Sequence, residues 1–179
     1  MIKNTITMSE EAFFAMLELL GCAGKYQLPK YEENSNEAMQ KFIRGRDELC
    51  LKGWAELDFD GGIYPTAWFS RMIYTIPRVE SGMFFQNDTA CQWFLRGPIE
   101  QLHIQKEDSS YTLTQCGTNE LVTWLKKDLY ATEQGVLTTR CKDKEEKTNL
   151  TQTTQSTKKR AEILARHMCI YFEKEADHA

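Results

Sequence analysis

SGMFFQNDTACQWFLRGPIEQLHIQKEDSSYTLTQC, running from Ser81 to Cys116, reads as short β segments broken by turn residues. Met83–Gln86, Cys91–Arg96, Ile99–Lys106 and Tyr111–Gln115 are the segments, and Asn87-Asp88, Gly97-Pro98 and Asp108-Ser109-Ser110 supply the reversals between them. Connections this short join antiparallel strands, so the stretch predicts a meander. Successive side chains on a strand point to opposite faces, so Phe84-Phe85 and Trp93-Phe94 put large aromatics on both sides of the sheet. Either helices cover both faces or one face is a docking surface. The second alternative nominates Phe84, Trp93, Phe94 and Arg96 as protein-contacting residues, because aromatic and arginine side chains are enriched at interface hot spots.

Working outward, the chain before Ser81 carries a helical repeat. Phe13, Met16, Leu17 and Leu20 stripe a first helix behind the capping box Thr7-x-x-Glu10, and Gly21 ends it. Met39, Phe42, Ile43, Leu49 and Cys50 stripe a second helix that Gly53 stops. Trp54 to Phe59 alternates as a strand, with Ala55, Leu57 and Phe59 on one side, and Asp60-Gly61-Gly62 turns the chain. Pro65 suits the first turn of a third helix, which Pro77 terminates.

After Cys116, Thr118 or Asn119 caps a helix carrying Leu121, Trp124, Leu125 and Leu129. Thr138 to Thr157 is almost entirely Lys, Glu, Asp, Thr and Gln, which predicts a mobile linker. A final helix from Thr157 to Lys174 carries Ala161, Leu164, Met168, Tyr171 and Phe172 on one side. The expected fold class is α+β, with N-terminal helices, an antiparallel sheet of about four to five strands packed with helices, and a C-terminal helix. Residues 1–137 form the expected core domain, 138–156 the flexible linker and 157–179 the tethered helix.

Hydrophobic residues make up 41% of the 179, which is enough for a sizeable core. The net charge of −4 argues against a dedicated nucleic-acid binder, which needs clustered Lys and Arg. The charge divides unevenly. Nine Lys and Arg against seven Asp and Glu make residues 138–179 +2, and the remaining 13 against 19 make residues 1–137 −6. The N-terminal residues lack an apolar signal region, and no run approaches the roughly 18 apolar residues of a membrane span, so a cytoplasmic protein is expected. Six cysteines without a CxxC pair read as isolated, small apolar side chains.

Motifs for chemistry are sparse. Glu56-x-Asp58-x-Asp60-Gly61 opens like a calcium loop, but Ala67 stands where the bidentate glutamate belongs. His103, His167 and His178 have no metal-motif spacing, and neither a cofactor nor a metal is expected. A nucleophile–base pair such as Cys91 with His103 stays open to an enzyme of unrecognised type, since such partners meet in space. Lys41, Arg44 and Arg46, with Lys158, Lys159 and Arg160, read as solvated faces. The helix–helix–strand–helix opening keeps a winged-helix-like DNA-binding regulator as an alternative.

Glu48-Leu-Cys-Leu-Lys-Gly-Trp54, then Asp58-Phe-Asp-Gly-Gly-Ile-Tyr-Pro65, and later Trp93-Phe-Leu-Arg-Gly97, resemble corresponding segments of the EspG-type chaperones of type VII secretion. The chain is similar to that family over roughly residues 8–130, as a shortened and divergent relative. The resemblance implies a cytosolic, non-catalytic chaperone that holds a helical secretion substrate before export, with no cofactor. It carries over no contact residue position by position.

Overall fold

A computed structural model describes residues 4–30 and 36–173 of the chain. In chain order these form β1 (Thr5–Ser9), α1 (Glu10–Leu19), α2 (Asn36–Leu51), β2 (Ala55–Leu57), β3 (Ile63–Pro65), α3 (Ala67–Met72), β4 (Ser81–Asn87), β5 (Cys91–Arg96), β6 (Gln101–Glu107), β7 (Ser110–Cys116), α4 (Thr118–Ala131), β8 (Gly135–Cys141), β9 (Lys144–Leu150) and α5 (Thr157–Tyr171). Seven strands make one antiparallel sheet in the order β1-β7-β6-β5-β4-β8-β9, and β2 and β3 pair separately as a ribbon. The fold is α+β, with more strands than expected.

Helices cover both faces of the sheet. Phe13, Met16 and Leu17 of α1, Leu49 of α2, and Phe69 and Met72 of α3 pack with Ile6, Met8, Trp93, Leu95, Leu102, Ile104, Tyr111 and Leu113. On the other face Leu121, Leu125 and Leu129 of α4 and Ile163 and Tyr171 of α5 pack with Met83, Phe85, Phe94, Leu137 and Leu150. The adjacent aromatics therefore feed two cores rather than one core and one open face.

The linker expected over 138–156 is instead largely the β8–β9 hairpin, in register from Gly135↔Leu150 to Cys141↔Lys144. Its polar composition follows from its place at the sheet edge. Only Leu137, Thr138, Thr139, Cys141 and Leu150 are fully buried, while Lys144, Glu145 and Lys147 lie exposed, and charged edge strands resist pairing with other chains. The final helix is consequently not tethered at a distance but packs on β8 and β9. Its inward face is Arg160, Ile163, His167 and Tyr171, rotated from the purely apolar stripe, and residues 174–179 lie outside the described residues.

The expected capping box at Thr7 is displaced as well. Residues 5–9 pair with β7, and Ser9 caps α1 by accepting from the Ala12 amide at 3.1 Å. Outward groups of this edge strand are engaged by α2. Lys52 Nζ donates to the Thr7 carbonyl at 3.2 Å, the Ser9 amide donates to Glu48 Oε1 at 3.2 Å, and Glu48 and Lys52 form an ion pair at 2.9 Å. Where α1 crosses α2, a Cβ on Gly45 would lie 2.0 Å from the Glu11 carbonyl oxygen, so only glycine permits this approach.

Candidate docking surface

Residues 51–68 are built as a fastened base with an exposed tip. Gly53, at φ 67°, ends α2 in the left-handed conformation, with its amide on the Cys50 carbonyl and the Trp54 amide on the Leu49 carbonyl. Trp54 stacks on Phe69, with ring centroids 5.5 Å apart, while Lys52 Nζ lies 4.7 Å from the Trp54 ring. The Thr66 amide donates to the Trp54 carbonyl at 2.9 Å, closing the ribbon's base, and Thr66 Oγ1 caps α3 through the Phe69 amide. At the tip, the Asp58 amide bonds the Gly62 carbonyl at 2.8 Å and the Gly61 amide bonds the Asp58 carbonyl at 3.0 Å.

Strands of three residues do not carry the tip back to the core. Ala55 is buried, but Leu57 is 54%, Tyr64 59%, Trp68 48% and Leu51 88% exposed, and Phe59 at 108% is fully in water. Leu57 and Phe59 crowd the tip, while Tyr64 faces the other side of the ribbon opposite Glu56, so apolar side chains stand in water on both faces of a short element. Glu56, Asp58 and Asp60 stand exposed; Lys52, at the base, is paired with Glu48, and no other Lys or Arg occurs from there up to residue 70. The patch is apolar and acidic. The strand expected over Trp54 to Phe59 is shorter, Ala55–Leu57, so Phe59 falls in the turn and stands in solvent with Leu57 rather than on a covered strand face. The shortness of the ribbon around Asp60-Gly61-Gly62 was the available signal.

The four sheet residues nominated from the sequence are not brought together. Phe84 and Trp93 are direct cross-strand partners with ring centroids 5.1 Å apart, on the α1–α3 face. Phe94 and Arg96 point to the α4–α5 face. Trp93 and Phe94 are buried; Phe84 is half-buried. Trp93 donates from Nε1 to the Gln27 carbonyl at 3.0 Å. Arg96 donates from Nε to Ser81 Oγ at 2.8 Å and from Nη2 to the Glu173 carbonyl at 3.0 Å. It lines an open cleft of about 560 Å³ that Glu80, Lys142 and Glu173 also border. Helical cover on both faces thus removes Trp93 and Phe94 from any partner's reach.

Cys91 and His103 lie on opposite faces of the sheet. Cys91 packs with the α1–α3 core, whereas His103 pairs across from Phe94 and sits under Trp124 of α4. Intervening backbone separates thiol and imidazole, so they form no nucleophile–base pair. Burial pushes the Cys91 thiol up to about 11 and holds the His103 imidazole down at about 4. His103 Nε2 is 2.7 Å from Gln92 Oε1, and Gln92 Nε2 donates to Asp128 Oδ2 at 2.8 Å. His167 is likewise buried, with Nδ1 2.7 Å from Thr139 Oγ1 and Nε2 2.9 Å from Thr148 Oγ1, and its value is lowered to about 4 mainly by burial. Among the described residues no three His, Cys, Asp or Glu side chains are grouped to hold a metal ion.

Basic residues read as solvated divide in two. Lys41 pairs with Glu37 at 2.7 Å, Arg44 with Glu11 at 2.6 Å and Arg46 with Asp47 at 2.8 Å. Arg160 departs from that reading, being buried at the α4–α5 junction. No helix among the described residues is long and apolar enough to cross a membrane. The chain matches no known protein-family model and no curated protein.

Proposed function

We propose that the protein is a non-catalytic, cytosolic protein-binding chaperone or adaptor whose docking element is the ribbon and its flanks, residues 51–68. The carrying observation is the concentration there of exposed Leu51, Leu57, Phe59, Tyr64 and Trp68 on a base fixed by backbone hydrogen bonds. Covering such surface gains roughly 25 cal/mol per Å² against water, and a base already ordered costs little further ordering on binding. The similarity of residues 48–65 and 93–97 to EspG-type chaperones supplies the finer reading, in which the partner is a helical type VII secretion substrate held before export.

The test is affinity capture from native cytosol with wild-type protein and a Leu57→Ser/Phe59→Ser variant side by side. The expected result is a helical partner recovered stoichiometrically by the wild type and lost by the variant. Equal recovery by both, or no stoichiometric partner from cytosol in which native partners are expressed, would overturn the reading.

A further inference from the structure

We infer that the partner element recognised by residues 51–68 is a basic amphipathic helix, an inference that rests on the protein-binding reading above. Charge complementarity is the first argument. Asp58 and Asp60 flank Phe59 in the exposed turn, Glu56 is exposed on the ribbon's other face beside Tyr64, and no Lys or Arg of residues 53–70 neutralises them. Of the three, Asp58 is committed locally, accepting the Phe59 amide at 2.6 Å, and this fixes its carboxylate beside the aromatic ring's own backbone. An acidic partner would meet like charge at every one of these positions, whereas Lys or Arg beside apolar side chains meets both features together.

Shape is the second argument. A partner strand would add to a ribbon edge at residues 55–57 or 63–65 and leave Phe59, beyond the end of β2, in water. Leu57 ends β2 and Phe59 stands just beyond it in the turn that the Gly61 amide closes on the Asp58 carbonyl, so the two exposed side chains meet at one end of the ribbon rather than along a strand edge. A helix laid across the tip covers both and brings basic residues flanking its apolar stripe against Asp58 and Asp60, on either side of Phe59 in the turn.

The inference is tested with the full chain and three synthetic peptides: an amphipathic Lys/Leu helix, the same helix with Glu for Lys, and the Lys peptide with Ser for Leu. Fluorescence anisotropy reads the affinity for each. The Lys/Leu helix is expected to bind, more weakly as salt rises, and to lose about tenfold or more in affinity with Phe59→Ser, as removal of an interface anchor does. The variant Asp58→Asn/Asp60→Asn is expected to weaken the same peptide several-fold and to flatten its salt dependence. Equal binding of the Glu/Leu helix through Phe59 would overturn the basic-partner inference while leaving the docking reading intact. Binding that Phe59→Ser does not change would overturn both, as would sedimentation showing that the ribbon is already buried in a dimer of this chain.

Discussion

The guanidinium of Arg160 donates from Nη2 to the carbonyl oxygen of Thr132, 2.9 Å away. Thr132 closes α4, where the unpaired carbonyls carry the negative end of the helix dipole. A side chain only 1% exposed thus meets partial negative charge rather than a carboxylate, and its Nη1 has no hydrogen-bond partner among the described residues. Burial lowers the guanidinium's proton affinity accordingly.

Truncating this residue should open a cavity between α4 and α5 and orphan the Thr132 carbonyl. Arg160→Ala is expected to cost about 2–4 kcal/mol in urea unfolding. Arg160→Met, which retains most of the volume and removes the buried charge, should cost less than half of that. Equal losses would show that the hydrogen bond, rather than the packing, dominates.

Acid should unfold the α4–α5 face through two imidazoles. His103 and His167 titrate near 4 when folded and near 6.5 when unfolded, so the unfolded chain binds protons more tightly below neutrality. Their contribution is complete above about pH 6.5 and fades as pH falls toward 4, at on the order of 2 kcal/mol per histidine between pH 7 and 5. Urea midpoints measured across that window should fall, and His167→Gln with His103→Gln should flatten the slope. An unchanged slope in the double variant would assign the acid sensitivity elsewhere.

Gly45→Ala should be far more harmful than its size suggests. The added methyl meets the Glu11 backbone at 2.0 Å, and backbone cannot swing aside as a side chain can. Separating α1 from α2 is expected to cost about 2–4 kcal/mol or to prevent folding, seen as a lowered thermal midpoint. A change within about 0.5 kcal/mol would mean that the two helices do not cross this closely.

Replacing the guard on the outer edge of β1 should favour association between copies. Glu48→Ala with Lys52→Ala frees the Thr7 carbonyl and the Ser9 amide, and leaves an uncharged strand, Thr-Ile-Thr-Met-Ser, open to another edge. The expected result is a loss of about 1 kcal/mol in stability and a concentration-dependent dimer in sedimentation velocity. A strictly unchanged sedimentation coefficient would show the edge to be protected by other means.

The four central strands were legible because each carries apolar side chains and each turn is marked by Asn-Asp, Gly-Pro or Asp-Ser-Ser. β8 and β9 were not. An edge hairpin buries few positions, and Thr138, Thr139 and Cys141 give the apolar alternation little amplitude. The turn at Lys142-Asp143 has no glycine, although Lys142 takes φ 52°. The inward face of α5 was obscured for a different reason: hydropathy excludes Arg160 and His167, yet each is buried against a specific acceptor or hydroxyl. The exposure of the ribbon was hidden because alternation reports which side chains share a face, not whether anything lies over that face. Leu57 ends β2 and Phe59 falls in the turn beyond it, and both are exposed.

The pairing of β1 with β7 also dictates when this protein can fold. Thr7 and its partner Thr112 are 105 positions apart, so the first strand leaves the ribosome long before its neighbour is made. At the slower end of translation, about 5 residues per second, that interval is roughly 20 seconds. Throughout it Ile6 and Met8 have no sheet to join, and α1 has no completed floor beneath it. β8 and β9 follow later still, and only then is the partner surface of α5 present. Pairing of the first strand is therefore late relative to its own synthesis, and a nascent chain halted before Ser110 holds that strand without a template.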